Sequence, residues 1–181
     1  KITLPKWSLP AIAGGIVGVV GLWFPEILGV GYEATDQALR GQIDLDILIA
    51  LVVLKIAATV MCMAMGFGGG IFSPALFIGA MVGGAFGLIA QMPFPDLASD
   101  QGAYTLVGMG AVAGAVLGAP ISTVLMVFEL TGDYALTIVV MLVTAIATVS
   151  SQAVMGRSFF LAQLERRGIR IRGAYEVPRM A

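Results

Sequence analysis

Histidine is absent from this chain of 181 residues, and Cys62 is its only cysteine. Those two absences exclude a disulfide framework, a zinc site built on Cys and His, and Ser–His or Cys–His catalytic pairs within the chain. Charge is scarce as well, at 12% of residues with a net charge of −1. With no basic stripe interleaved with aromatics, nothing here suits a nucleic-acid backbone, and no nucleic-acid partner is expected. No paired carboxylates and no nucleophile with a base lie at helical spacing, so an enzyme is not expected, and no cofactor is implied.

What remains is apolar. Hydrophobic residues make up 59% of the chain, and the mean hydropathy is +0.97. Residues 56–95, 101–128 and 134–156 carry no charged side chain, and a hydrocarbon core about 30 Å thick takes roughly 20 helical residues to cross. The chain therefore reads as a multi-pass integral membrane protein in contact with the lipid bilayer. Arg157, Arg166, Arg167, Arg170, Arg172 and Arg179 all follow the last apolar run, which places the C-terminus in the cytoplasm. The opening KITLPKW has no small-residue cleavage site and reads as the interior of a longer protein, not as a signal peptide.

The spacing predicts unequal, interrupted helices. The first enters at Ser8 and Pro10 and continues to Pro25, with Gly14 and Gly18 as a GxxxG pair suited to close helix approach. A short helix follows over 33–40, then a long one to about residue 65 with Asp44 and Asp46 in its first turn, where acidic side chains favour the dipole. Another starts near Phe72 and carries Gly79, Gly83 and Gly87 on one face; the next carries Gly110, Gly114 and Gly118. Residues 121–131 form a piece too short to span alone, and a final long run covers 134–154, followed by the amphipathic SFFLAQLERRG.

Two breaks, at 66–70 and 118–120, fall between uncharged segments. Non-helical backbone at membrane depth survives only where protein buries it or water reaches it, and broken helices recur in transport pathways. The first break is the richer: Gly68, Gly69 and Gly70 run into Ile71, Phe72, Ser73 and Pro74 at the head of a helix. Helix starts leave amide groups unpaired and carry partial positive charge, so an anion is their natural partner.

In GGGIFSPALFIGA the residues Gly70, Phe72 and Pro74 resemble the GxFxP signature of the CLC chloride channels and chloride/proton antiporters. PEILGVGY, MGAVAGAVLGAPISTVLMVFELTGDY and GRSFFLAQLERRG resemble further stretches of that family in the same order. The resemblance implies an all-α integral membrane fold of tilted and broken helices, one inverted repeat plus the final pore helix. Residues 1–155 would form the second-repeat half of the transmembrane domain, and 156–181 the final pore-lining helix with the start of a cytoplasmic tail. It also implies a missing N-terminal repeat of the same protein, since no GSGIP-like or GREGP-like string occurs here, and a homodimer formed through about 120–154.

Carried across by position, the amides of Ile71 and Phe72 would contact a bound chloride ion, with Gly68, Gly69, Gly70, Ser73 and Pro74 as the supporting motif. The family's pore tyrosine falls on Phe160, which keeps the aromatic wall and lacks the hydroxyl. Lys55 has two readings, a cation that enriches anions in a vestibule, or a side chain that snorkels or pairs with a carboxylate. Glu129, beside Thr131 and Asp133, reads as part of a cap or an ion pair. The function implied is transport of chloride or a similar monovalent anion, as channel or exchanger. The alternative is a non-transporting membrane assembly module packing through its GxxxG faces.

Overall fold

The structure is a computed structural model that describes residues 8–93, 95 and 98–155. The described residues form seven α-helices and no strand: α1 (Ser8–Val20), α2 (Tyr32–Leu39), α3 (Leu45–Ala64), α4 (Phe72–Gln91), α5 (Gln101–Leu117), α6 (Pro120–Thr131) and α7 (Tyr134–Met155), with a single 3-10 turn at Pro25–Ile27. α3, α4 and α7 are long and apolar enough to cross a membrane.

Most boundaries follow the punctuation in the sequence. α5 stops at Gly118, whose φ of 67° is open to glycine, and α6 restarts with Pro120 in its first turn, where a missing N–H does no harm. α7 is capped by Asp133, whose Oδ1 accepts from the amides of Ala135 at 2.8 Å and Leu136 at 3.1 Å. The cap belongs to Asp133 and not to Glu129, which is exposed and joins no ion pair among the described residues.

α1 ends earlier than its apolar run predicts. Phe24 sits at φ −130° and ψ 76° because the ring of Pro25 drives the preceding residue out of the helical region. The turns at Leu22 and Trp23 tighten, with amides bonded to Val19 and Val20 three residues back, and the chain folds so closely that a Cβ on Gly21 would strike Leu28.

α4 is the centre of the bundle. Its buried Phe77, Ala80, Met81 and Ala85 pack with Leu48 and Leu51 of α3, Ala34 and Ala38 of α2, and Met109 of α5. The glycine stripe of α4 works as predicted. A Cβ at Gly79 or Gly83 would collide with backbone of α5 at Gly108 and Tyr104, and one at Gly87 would press on the Tyr104 ring. On α5 the residue that meets this stripe is Gly108, while Gly110 and Gly114 face Val140 and Thr144 of α7. α5 is thus gripped on two sides, by α4 at backbone distance and by the Val140 and Thr144 side chains of α7.

Candidate anion site at the break between α3 and α4

α3 closes before α4 begins, and its closing turn takes up several of its terminal carbonyls. Gly66 takes φ 76°; its amide donates to Met63 O at 3.2 Å, and the Phe67 amide donates to Cys62 O at 2.9 Å. This is the Schellman pairing, and with Met65 N bonded to Met61 O it occupies the carbonyls of Met61, Cys62 and Met63. The other side of the break is the reverse. No amide from Gly68 through Ser73 donates to a protein acceptor among the described residues, the first helical bond of α4 being Ala75 N to Ile71 O. Pro74 has no N–H to satisfy. The junction presents a run of open donors at a helix head, the arrangement that suits an anion.

Gly68, Gly69 and Gly70 are exposed, with nothing within 4 Å of where a Cβ would stand. They and Pro74 line a cavity of about 490 Å³ whose other walls are Gly14, Val17 and Gly18 of α1, Ile27, Leu28 and Gly29 of the loop after it, and Lys55, Ala58, Thr59, Cys62 and Met63 of α3, with Phe67 at the break. The side chains of Ile71, which is buried, and Phe72, which is 38% exposed, are outside that lining. Among the described residues Gly14 and Gly18 meet no other helix: Gly18 has nothing within 4 Å and Gly14 has only the Phe67 ring at 3.6 Å. Their missing side chains leave room for the cavity instead. Phe160 lies outside the described residues.

Lys55 is buried to 3% exposure, and its partners are not those of the reading in which it snorkels or pairs with a carboxylate. Its Nζ donates to Ile27 O and to Gly29 O, both at 2.9 Å, and lies 4.6 Å from the centre of the Phe77 ring. The ammonium neither snorkels nor meets a carboxylate; the ion pair among the described residues is Arg40 with Asp36, on the surface. It clamps the loop after α1 against α3. That loop is seated from the other side by α4: a Cβ at Gly31, where φ is 79°, would run into the Phe77 ring, and Ser73 Oγ reaches Val30 O at 3.4 Å. Gly29, Phe77 and the carbonyl of Ile27 are site-building groups that sequence reasoning missed. The signal for Ile27 and Gly29 was PEILGVGY, two glycines in a loop with no stated contact, and Phe77 lay unremarked within GGGIFSPALFIGA.

The cavity thus has one charged residue, Lys55, no acidic side chain in its lining, and a row of unpaired amides along one edge. Comparison with known proteins gives the chain its relatives. H(+)/Cl(-) exchange transporters ClcA of Salmonella arizonae and Salmonella paratyphi B are each 33% identical to the chain over 165 residues, covering 90% of it and 35% of the relative. The chain therefore spans about a third of the length of these curated relatives. The crystal structure of a slow cyanobacterial Cl-/H+ antiporter matches the fold with a TM-score of 0.68, at 23% identity, over 90% of this chain and 47% of that one. A profile of the voltage gated chloride channel family matches residues 1–152, and with the GGGIFSP break standing at the head of a membrane helix, the chain belongs to that family.

Proposed function

We propose that this chain forms part of a transmembrane pathway for chloride or a similar monovalent anion, with the ion held by the amides of Ile71 and Phe72 and the approach through Gly68, Gly69 and Gly70. The observation that carries the reading is the run of amides from Gly68 through Ser73, at the head of α4, that meet no protein acceptor among the described residues. Backbone amides bind a small anion through several weak contacts and release it, whereas direct pairing with Lys or Arg would hold it. Relatives named as proton/chloride exchange transporters support the choice of cargo. Phe160 forms a further wall in this reading, and residues beyond these 181 complete the path.

The exposed apolar side chains of α6 and α7, among them Ile121, Leu125, Ile138, Leu142 and Ile146, support pairing of two copies through about 120–154. The run of arginines after residue 156 keeps the C-terminus in the cytoplasm.

Reconstitution of the full-length protein in liposomes loaded with chloride tests the reading. Chloride efflux above that of empty liposomes is expected, with altered selectivity among halides when Phe72 or Phe160 is changed. Absence of efflux from correctly folded protein refutes it.

A further inference from the structure

We propose that the Phe67 ring is the steric filter of the cavity, standing across it from Gly14 and Gly18 of α1 and limiting the size of the anion that reaches the amides of Gly68 through Phe72. The inference rests on the transport reading and adds to it the side chains that discriminate by size. Phe67 is placed for that role by its own backbone. Its amide is tied to Cys62 O at 2.9 Å in the turn that ends α3, and the next residue, Gly68, begins the open run of amides. The main chain is anchored at the edge of that run, and the ring projects from the anchor.

The ring is not part of the packed core. Phe67 is 48% exposed, joins neither the buried cluster around Phe77 nor any aromatic pair among the described residues, and lines the cavity. A large apolar side chain with so few packing partners gains little from burial where it stands, so stability does not account for it. The wall it faces has no side chains. Ring atom Cε2 lies 3.6 Å from where a Cβ on Gly14 would stand, and Gly18, one turn further along α1, has nothing within 4 Å. A ring with one edge contact, facing an open turn of helix, is free to change rotamer while its backbone stays fixed. Open amides select for negative charge and not for shape, so discrimination by size falls to the bulk at positions 14, 18 and 67.

Cys62 lines the same cavity and reports on the gap independently of transport. The experiment uses the full-length protein with any cysteines outside this chain replaced. Rates of Cys62 modification by methyl and by benzyl methanethiosulfonate, both uncharged, are measured, each normalised to a free thiol in solution. Phe67→Ala and Phe67→Leu should raise the benzyl-to-methyl ratio, alanine by about fivefold or more, and Gly18→Leu should lower it by a similar factor, the effect of forcing a bulky group into filled space. Gly15→Leu is the control: like Gly18 it has nothing within 4 Å of its Cβ position, but it lies outside the lining.

The proposal is overturned if Phe67 variants that elute as the wild type keep the wild-type ratio, if Gly15→Leu shifts the ratio as Gly18→Leu does, or if the benzyl reagent fails to reach Cys62 in Phe67→Ala. Chloride and thiocyanate fluxes are recorded on the same preparations, and thiocyanate relative to chloride should rise in Phe67→Ala and fall in Gly18→Leu. A modification ratio that follows bulk without flux of either anion refutes transport and leaves Phe67 as the group that sets the gap. Flux with both ratios indifferent to bulk does the opposite.

Discussion

Gly79 of α4 and Gly108 of α5 lie back to back, so that a Cβ built on either would land on the carbonyl oxygen of the other. Two membrane helices meet here with no side chain between them. The contact holds α4 in place and hence the start of α4, where the unpaired amides lie.

Gly79→Ala and Gly108→Ala are each expected to destabilise the protein by about 1–3 kcal/mol, the usual penalty for overpacking, and valine at either position should do worse. Gly15→Ala is the control, since nothing stands within 4 Å of its Cβ position. Unfolding in mixed detergent micelles measures all three; equal stability of Gly79→Ala and Gly15→Ala would contradict the packing.

Gly31 combines a left-handed φ of 79° with a Cβ position inside the Phe77 ring. Gly31→Ala should therefore lose roughly 1–2 kcal/mol for the backbone alone, and more for the displaced ring. Gly29→Ala, at φ 60° with open space around it, should lose only the backbone part. The difference between the two variants in a thermal melt reads out the ring contact.

The proposed ion site makes a sharp demand on one atom. Replacing the Phe72 amide by an ester, through incorporation of the α-hydroxy analogue of phenylalanine, removes the N–H and leaves the side chain. Chloride affinity measured by calorimetry on the full-length protein should fall about tenfold, a hydrogen bond to a charged partner being worth about 1.5–3 kcal/mol. The same ester at Phe86, in the middle of α4, should reduce stability and spare affinity.

Asp133→Ala removes both bonds from its carboxylate to the start of α7 and is expected to cost about 1 kcal/mol. Glu129→Ala, at an exposed position, should be neutral within about 0.5 kcal/mol. A chemical melt that ranked them the other way would return the cap to Glu129.

Much of this fold was readable because glycine, proline and charge act locally. The ends of α2, α3, α4, α6 and α7 fall within a residue or two of the expected positions, since Gly41, Gly66, Pro120, Gly132 and Asp133 impose their geometry wherever they stand. α1 was read too long because apolarity continues through Gly21–Phe24, and apolarity does not report whether the backbone stays helical. The GxxxG pair of α1 had the right spacing for helix packing yet borders a cavity, and Gly108, outside any regular four-residue series with Gly110 and Gly114, carries the closest approach. Which face of a helix meets a neighbour is set by tertiary packing. The partners of Lys55 were illegible for a plainer reason: they are main-chain carbonyls 26 and 28 residues away, and every residue has one.

The short helices have a consequence for voltage. α1, α5 and α6 are about 20, 25 and 18 Å long, less than the roughly 30 Å of a hydrocarbon core, so none spans it alone and any end that falls within it must be wetted or covered. Where water follows them inward, the transmembrane potential drops over the remaining dry thickness and not over the whole bilayer. The field at the head of α4 is then steeper than in the surrounding lipid. Full passage through 100 mV is worth about 2.3 kcal/mol per charge, and an ion displaced by a few ångströms beside Gly70 and Phe72 would cross a large share of it.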